Sequence, residues 1–122
     1  MIQPISFVTF QGKNPDLKRL WDKGKLPTVK YGIYGDLLTH ETISREHLLP
    51  KSYGGTKKPS NIALSSKIKN NARGNDDIIK YADPKIIKQY LDQFKDVDLK
   101  ELNGKKYILG ILSTLRRLGV PI

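Results

Sequence analysis

The residues best suited to chemistry lie in the middle quarter of the chain. A carboxylate stands next to an imidazole at Glu46 and His47, and the amides Asn61 and Asn70 follow. From His47 to Asn75 there are six basic residues and no acidic one, which is more than half of the net charge of +10 on 122 residues. An acid-free basic surface attracts polyanions by counterion release and long-range steering. The charge alone leaves two interpretations open, a nucleic-acid-binding surface and a solvated loop that is basic by chance.

Short elements of secondary structure must position these side chains. If a helix packs across a hairpin, Glu46, His47 and Asn70 come together, with Asn61 at the end of the loop. Because neighbouring residues on a strand point to opposite faces, Glu46 and His47 can share a site only at a strand end or a bulge. The sequence predicts, in order, a strand over 44–49 closed by Pro50, a loop over 51–60, a strand over 61–64 and a helix from Ser65 or Ser66 to about Ala72.

This segment resembles the HNH endonuclease motif of the ββα-metal fold. The family pattern joins an acid–His pair, a proline, a Gly-Gly pair, a middle Asn and a final Asn that precedes Lys/Arg-Gly. The order agrees, and so do the spacings of 14 residues from His47 to Asn61 and 9 from Asn61 to Asn70. The likeness covers about a quarter of the chain, whose size resembles that of small stand-alone members from phages and mobile elements. The matching residues are Glu46, His47, Pro50, Gly54, Gly55, Asn61, Asn70, Arg73 and Gly74.

The resemblance implies a role for each residue. His47 is the expected general base, and Asn61 is expected to bind backbone across the loop or to orient the His47 ring. Glu46 and Asn70 are the expected oxygen ligands of one divalent cation, Mg²⁺ with Mn²⁺ accepted. His47, Asn61 and Asn70 are thus the expected catalytic residues, and hydrolysis of DNA would leave a 5′-phosphate and a 3′-hydroxyl, with RNA not excluded. Contacts to phosphates are expected from Lys51, Lys57, Lys58, Lys67, Lys69 and Arg73.

The sequence departs from the family pattern and leaves a second function open. Glu46 replaces the commoner Asp, the last residue of the motif is Asn70 rather than His, and the CxxC pairs of some members are absent. Glu46 also has a simpler interpretation, an ion pair with Arg45 or Lys51. The alternative to a nuclease is therefore a ββα domain that binds nucleic acid without cutting it, as a component of a larger assembly.

The chain as a whole predicts one α+β domain over 1–122, with a ββα-metal (HNH) core at 44–76 and elements added at both ends. A helical part over 83–119 would supply much of the packing, with Ile86, Ile87, Tyr90, Leu91 and Phe94 on one apolar face. The other predicted elements are a strand over 5–10, a helix capped by Asn14, a strand over 28–34, a helix that starts at Asp83 and a helix over 99–118 capped by Asp98.

Composition excludes several classes of protein. The lack of cysteine rules out disulfides, Cys-ligated zinc, iron–sulfur centres and a thiol nucleophile. No apolar run approaches the ~18–20 residues of a membrane span, and the first ten residues lack the features of a secretory signal. We expect a basic cytoplasmic protein of a bacterium or a phage-infected cell without membrane association. The sequence does not indicate its oligomeric state.

Overall fold

A two-stranded antiparallel sheet surrounded by helices forms the centre of the computed structural model, which describes residues 14–122. The α+β class is confirmed at this level. Every helix in residues 14–122 is too short or too polar to cross a bilayer. The elements are α1 (Leu17–Asp22), β1 (Ile43–His47), β2 (Ile62–Ser66), α2 (Lys67–Arg73), α3 (Pro84–Asp92) and α4 (Gly104–Arg117), with 3₁₀ turns at Lys51–Tyr53, Pro59–Asn61 and Ile78–Lys80.

The register of the sheet decides which backbone groups the two strands can satisfy for each other. Strands β1 and β2 pair with His47 opposite Ile62, and Leu48 N donates to Asn61 O at 2.9 Å just beyond them. Hydrogen-bonded pairs alternate along an antiparallel ladder. The backbone groups of Arg45 and His47 on β1, and those of Ile62 and Leu64 on β2, therefore point away from the partner strand.

Two buried tyrosines satisfy the outer edge of β2. The Tyr107 hydroxyl donates to Ile62 O at 2.8 Å, and Leu64 N donates to the Tyr90 hydroxyl at 3.0 Å. The two phenol oxygens lie 2.7 Å apart. Burial raises the pKa of both hydroxyls above its ordinary value, so both stay neutral. Tyr90 and Tyr107 belong to α3 and α4, so these helices are bonded to the sheet as well as packed on it.

Helix α2 satisfies the outer carbonyls of β1. Asn70 Nδ2 donates to Arg45 O at 2.9 Å, and the Arg73 guanidinium donates to His47 O and Leu48 O, both at 2.7 Å. Arg73 is only 2% exposed, and its Nη1 also lies 3.2 Å from Glu46 Oε1. A buried ion pair thus fixes the helix to the strand that carries His47.

The predicted elements of the motif segment are confirmed with small shifts in their bounds. The Ser66 hydroxyl caps α2 by accepting from Lys69 N at 3.3 Å, and Gly74 follows its last residue. Helix α3 begins after Asp83, whose carboxylate accepts from Lys85 N at 2.9 Å. Four of the five residues on the predicted apolar face of α3 are buried; Ile86 is half-buried. The buried ones are Ile87, Tyr90, Leu91 and Phe94.

The predicted strand over 28–34 is wrong. This stretch forms turns with a single bridge between Tyr31 and Leu37. The side-chain amide of Gln93 explains the difference, because its Oε1 accepts from Lys30 N at 2.8 Å and from Tyr31 N at 2.9 Å. These donors are therefore satisfied without a neighbouring strand. The predicted strand over 5–10 lies outside the described residues.

Two predicted helix starts are also wrong. Asp16 rather than Asn14 caps α1, since its carboxylate accepts from Arg19 N at 3.3 Å. Helix α4 is capped by Asn103 rather than Asp98, because residues 98–103 close into a turn with a bridge between Asp98 and Asn103. In both cases, a side chain closer to the helix in the sequence accepts the hydrogen bond that caps it.

Helix α4 supports the loop between the two strands. The turn Pro59–Asn61 packs directly on this helix. Gly110 allows the approach, since a Cβ there would lie 3.1 Å from the Cβ of Ser60. A glycine that the helical propensity scale disfavours is therefore explained by packing.

We expect Arg73→Ala to lower the free energy of unfolding by about 3–5 kcal/mol, because it leaves Glu46 and two carbonyls buried without their partner. Urea denaturation followed by circular dichroism measures this. Arg45→Ala is the matched control: Arg45 pairs with Asp16 at the surface and should contribute less than about 1 kcal/mol. Equal losses in the two variants would contradict the structural role of Arg73.

Candidate functional site

A cleft of about 830 Å³ opens between the start of α1, strand β1 and the loop that follows it. Its lining includes most of the polar groups of β1 and two lysines of the loop. Arg45 is held at one side by Asp16, with Nη2 2.6 Å from Oδ2 and Nε 3.0 Å from Oδ1. The residues that line the cleft are Asn14, Pro15, Asp16, Leu17, Ser44, Arg45, His47, Lys51, Lys57 and Ile62.

His47 contributes its imidazole to the lining of this cleft. Its Nε2 atom is buried and has no hydrogen-bond partner among the described residues. Such atoms are rare in folded proteins and are normally satisfied by a water or a ligand. Burial lowers the pKa of the His47 ring, and the nearby cations, first Lys51 and Lys57, lower it further. The ring is therefore neutral at pH 7 and can accept a proton.

Five of the six predicted phosphate-binding residues divide into three groups. Lys51 and Lys57 line the cleft with His47, and neither has an acidic partner within residues 14–122. Lys58 lies at a separate cleft of about 430 Å³, beside Arg117 of α4. The third group is on α2, where Lys67 and Lys69 are exposed.

Arg73 does not belong to the basic surface. At 2% exposure, and with its guanidinium bonded to Glu46 and to backbone carbonyls, it has no access to a phosphate. The prediction that Arg73 contacts nucleic acid is wrong. The Arg-Gly end of the motif instead supplies the residue that holds α2 against β1.

Glu46 lies on the opposite face of β1 from His47, since the strand is regular through both residues. Its Oε2 accepts from the Tyr34 hydroxyl at 2.7 Å, and its Oε1 pairs with Arg73. Burial raises the pKa of the Glu46 carboxyl, against the hydrogen bond from Tyr34 and the charge of Arg73, which lower it. The carboxylate is 2% exposed and has both oxygens engaged, so it does not open into the cleft.

Asn70 has one half of its amide engaged. Its Nδ2 donates to Ser44 Oγ at 2.7 Å and to Arg45 O at 2.9 Å. Its Oδ1 receives no donor from the described residues. Asn70 therefore has an oxygen left for a ligand, although its established contacts are those of a clamp between α2 and β1.

Residues 14–122 offer no ready cluster of His, Asp and Glu side chains around the predicted ligands Glu46 and Asn70. No group of three His, Asp or Glu side chains there could hold an ion. Carboxylate and amide oxygens are suitable donors for Mg²⁺. Glu46, however, would have to leave Arg73 and Tyr34 before it could bind one. Its role as a metal ligand stays a prediction that the observed contacts oppose.

Asn61 binds backbone across the loop, which is the first of the two predicted roles. Its Oδ1 accepts from Leu49 N at 2.8 Å, and its Nδ2 donates to Leu49 O at 3.1 Å and to Thr56 O at 2.9 Å. It makes no hydrogen bond to the His47 ring. Asn61 thus fixes both ends of the loop that carries Lys51 and Lys57.

Two functional contributions were missed by the sequence analysis. Tyr34 was not among the candidate residues, yet its hydroxyl is a partner of Glu46. Arg45 was considered only as a partner of Glu46, yet it faces the cleft and pairs with Asp16. The alternation of side chains along β1 was the available signal for Arg45, because it places residues 45 and 47 on one face.

We expect Lys57→Gln to raise the pKa of His47, since it removes a cation that disfavours the imidazolium. NMR titration measures this, and a His40→Gln background leaves His47 as the only histidine to follow. Lys58→Gln is the matched control, because Lys58 lies at the other cleft and should leave the pKa unchanged. An unchanged His47 pKa in Lys57→Gln, or equal shifts in both variants, would contradict the described cleft.

Comparison with known proteins adds no relative to this description. No family model matches the chain, and neither does any curated protein or solved structure. The case for a function therefore depends on the residues of the cleft and on the likeness of the motif.

Proposed function

We propose that this protein is a nuclease of the HNH type that hydrolyses phosphodiester bonds of DNA, with β1, β2 and α2 as its ββα core. The single observation that carries the proposal is the neutral imidazole of His47, which lines one cleft together with Lys51 and Lys57. A proton acceptor next to unpaired cations is what hydrolysis of a phosphodiester needs. The order and spacing of the motif residues support the same chemistry.

In the proposed reaction, the His47 imidazole takes a proton from a water molecule as that water attacks phosphorus. The P–O3′ bond breaks, and the 3′ oxygen leaves with a proton from solvent. The products are a 5′-phosphate and a 3′-hydroxyl. Lys51 and Lys57 balance the negative charge that develops on the phosphate oxygens.

A divalent cation, Mg²⁺ or Mn²⁺, remains the cofactor that the resemblance implies. In nucleases such an ion stabilises the charge on the phosphate and the leaving oxygen. The carboxylate of Glu46 is not free to bind this ion in the structure, because Tyr34 and Arg73 engage both of its oxygens. The Oδ1 atom of Asn70 is the motif oxygen that the described contacts leave available.

The alternative is a domain of the same fold that binds nucleic acid without cutting it. The observation that favours it is the engagement of Glu46 by Arg73 and Tyr34, which removes the only carboxylate of the motif from the site. This alternative retains the basic cleft and gives His47 no chemical role. The two functions therefore predict different results in one assay.

We expect the protein to convert supercoiled plasmid to nicked or linear DNA with Mg²⁺ or Mn²⁺ present, and we expect chelator to stop the reaction. His47→Ala should lower the rate by about 10²–10⁴-fold with the fold intact by circular dichroism. His40→Ala is the matched control, since His40 is exposed and pairs with Asp22. DNA binding without cleavage under all these conditions would favour the non-cutting alternative.

Glu46→Gln tests the assignment of the metal ligand. Because the carboxylate pairs with buried Arg73, we expect the variant to be less stable in urea. The Mg²⁺ concentration for half-maximal cleavage should stay within about twofold of the original, because Arg73 and Tyr34 already engage both oxygens of the carboxylate. Loss of a true ligand would raise it by a larger factor, and a tenfold rise corresponds to ~1.4 kcal/mol of lost binding. A rise of tenfold or more at unchanged stability would instead identify Glu46 as a ligand.

A further inference from the structure

Tyr53 is exposed within the basic segment from His47 to Asn75. Its side chain is 65% exposed, and it is the only Phe, Trp or Tyr between His47 and Asn75. Single exposed apolar residues are common on protein surfaces. Tyr53 differs from them because of how its backbone is held and what surrounds it.

The turn that carries Tyr53 is held at both ends. Tyr53 N and Gly55 N donate to Pro50 O at 2.9 and 3.0 Å. Gly54 follows with a φ of +91°, which favours glycine. A Cβ on Gly55 would lie 1.7 Å from Leu49 O, so the two backbone segments are in close contact.

Asn61 adds a second restraint on the same loop. It bonds both backbone groups of Leu49 and the carbonyl of Thr56, which bracket the turn. Little freedom is therefore left for the backbone beneath the exposed ring. A fixed backbone reduces the entropy that an exposed side chain loses when it binds a partner.

The charges around the turn indicate the chemistry of that partner. Lys51 opens the turn and lines the same cleft as His47, and Lys57 lies at the other end of the loop on the same cleft. Tyr53 does not line the cleft itself, but it follows Lys51 by two residues, so its Cα lies within about 7 Å of the Lys51 Cα and close to a polyanion that Lys51 would hold. The groups on a nucleic acid that an exposed aromatic ring can cover are its bases, since every base has a π-face.

We propose that Tyr53 stacks on a nucleobase of DNA bound in the His47 cleft and so sets which phosphate reaches His47. This inference depends on the proposed function for the DNA and the cleft. Tyr53 is a positioning residue, because it lies outside the reacting atoms. Stacking contributes without charge, whereas the lysines contribute through counterion release.

The test measures binding of single-stranded DNA to the full chain in a His47→Ala background, which prevents cutting, over a range of salt concentrations. Tyr53→Ala should lower affinity about tenfold without changing the dependence on salt, and Tyr53→Trp should restore it. Lys57→Gln should lower affinity and reduce the salt dependence. The control is Tyr31→Ala, a tyrosine 52% exposed that lines a different cleft beside Gln93, which should have no effect.

A 2-aminopurine base placed along the oligonucleotide reports stacking by quenching of its fluorescence. We expect one position to be quenched by the original residue and by Tyr53→Trp but not by Tyr53→Ala. Affinity within twofold in Tyr53→Ala, or quenching that persists in it, would overturn the stacking proposal. Binding and stacking with no cleavage by the original chain would instead overturn only the nuclease function.

Discussion

The sheet within residues 14–122 has two strands, and it lies inside the structure, where outer backbone groups need partners. An unpaired buried amide or carbonyl costs about as much as the net stabilisation of one or two hydrogen bonds. Side chains provide the missing partners on both edges. Tyr90 and Tyr107 bond to β2, and Asn70 and Arg73 bond to β1. The positions of α2, α3 and α4 follow from this requirement.

The same requirement determines what is left for chemistry. Arg73 must be buried to reach the carbonyls of β1, and a buried guanidinium needs an acid beside it. Glu46 is that acid, and Tyr34 occupies its second oxygen. Because side chains alternate along β1, the inward position of Glu46 turns His47 toward the cleft. The position of the imidazole in the lining of the cleft and the burial of the carboxylate thus have one cause.

The motif segment was largely predictable because local rules decide it. Ser66, Gly74 and Asp83 mark helix ends that short-range hydrogen bonds favour, and those helices formed as expected. The prediction of a strand over 28–34 was wrong because Gln93, about sixty residues away, makes hydrogen bonds to the backbone of this stretch. No periodicity within the segment contains that information.

The sequence predicted which residues lie at the candidate site better than it predicted how their side chains are oriented. Motif spacing located His47 and the loop clamp Asn61, and the charge pattern located Lys51 and Lys57. Whether Glu46 and Arg73 would be buried depended on which side of the hairpin α2 covers. A motif gives the order of the residue types but does not say which of them are buried. The burial of Arg73 could be known only from the packing.

Side-chain caps on both edges of the sheet also limit how this protein can associate. An open strand edge is a template on which another chain can add a strand, the usual route to domain swapping and fibril growth. Here, the outer carbonyl of Ile62 and the outer amide of Leu64 are occupied by phenols, and the outer carbonyls of Arg45 and His47 by α2. An incoming strand would have to displace buried hydrogen bonds before it gained any of its own. Within residues 14–122, these contacts therefore oppose the addition of a further strand to the sheet.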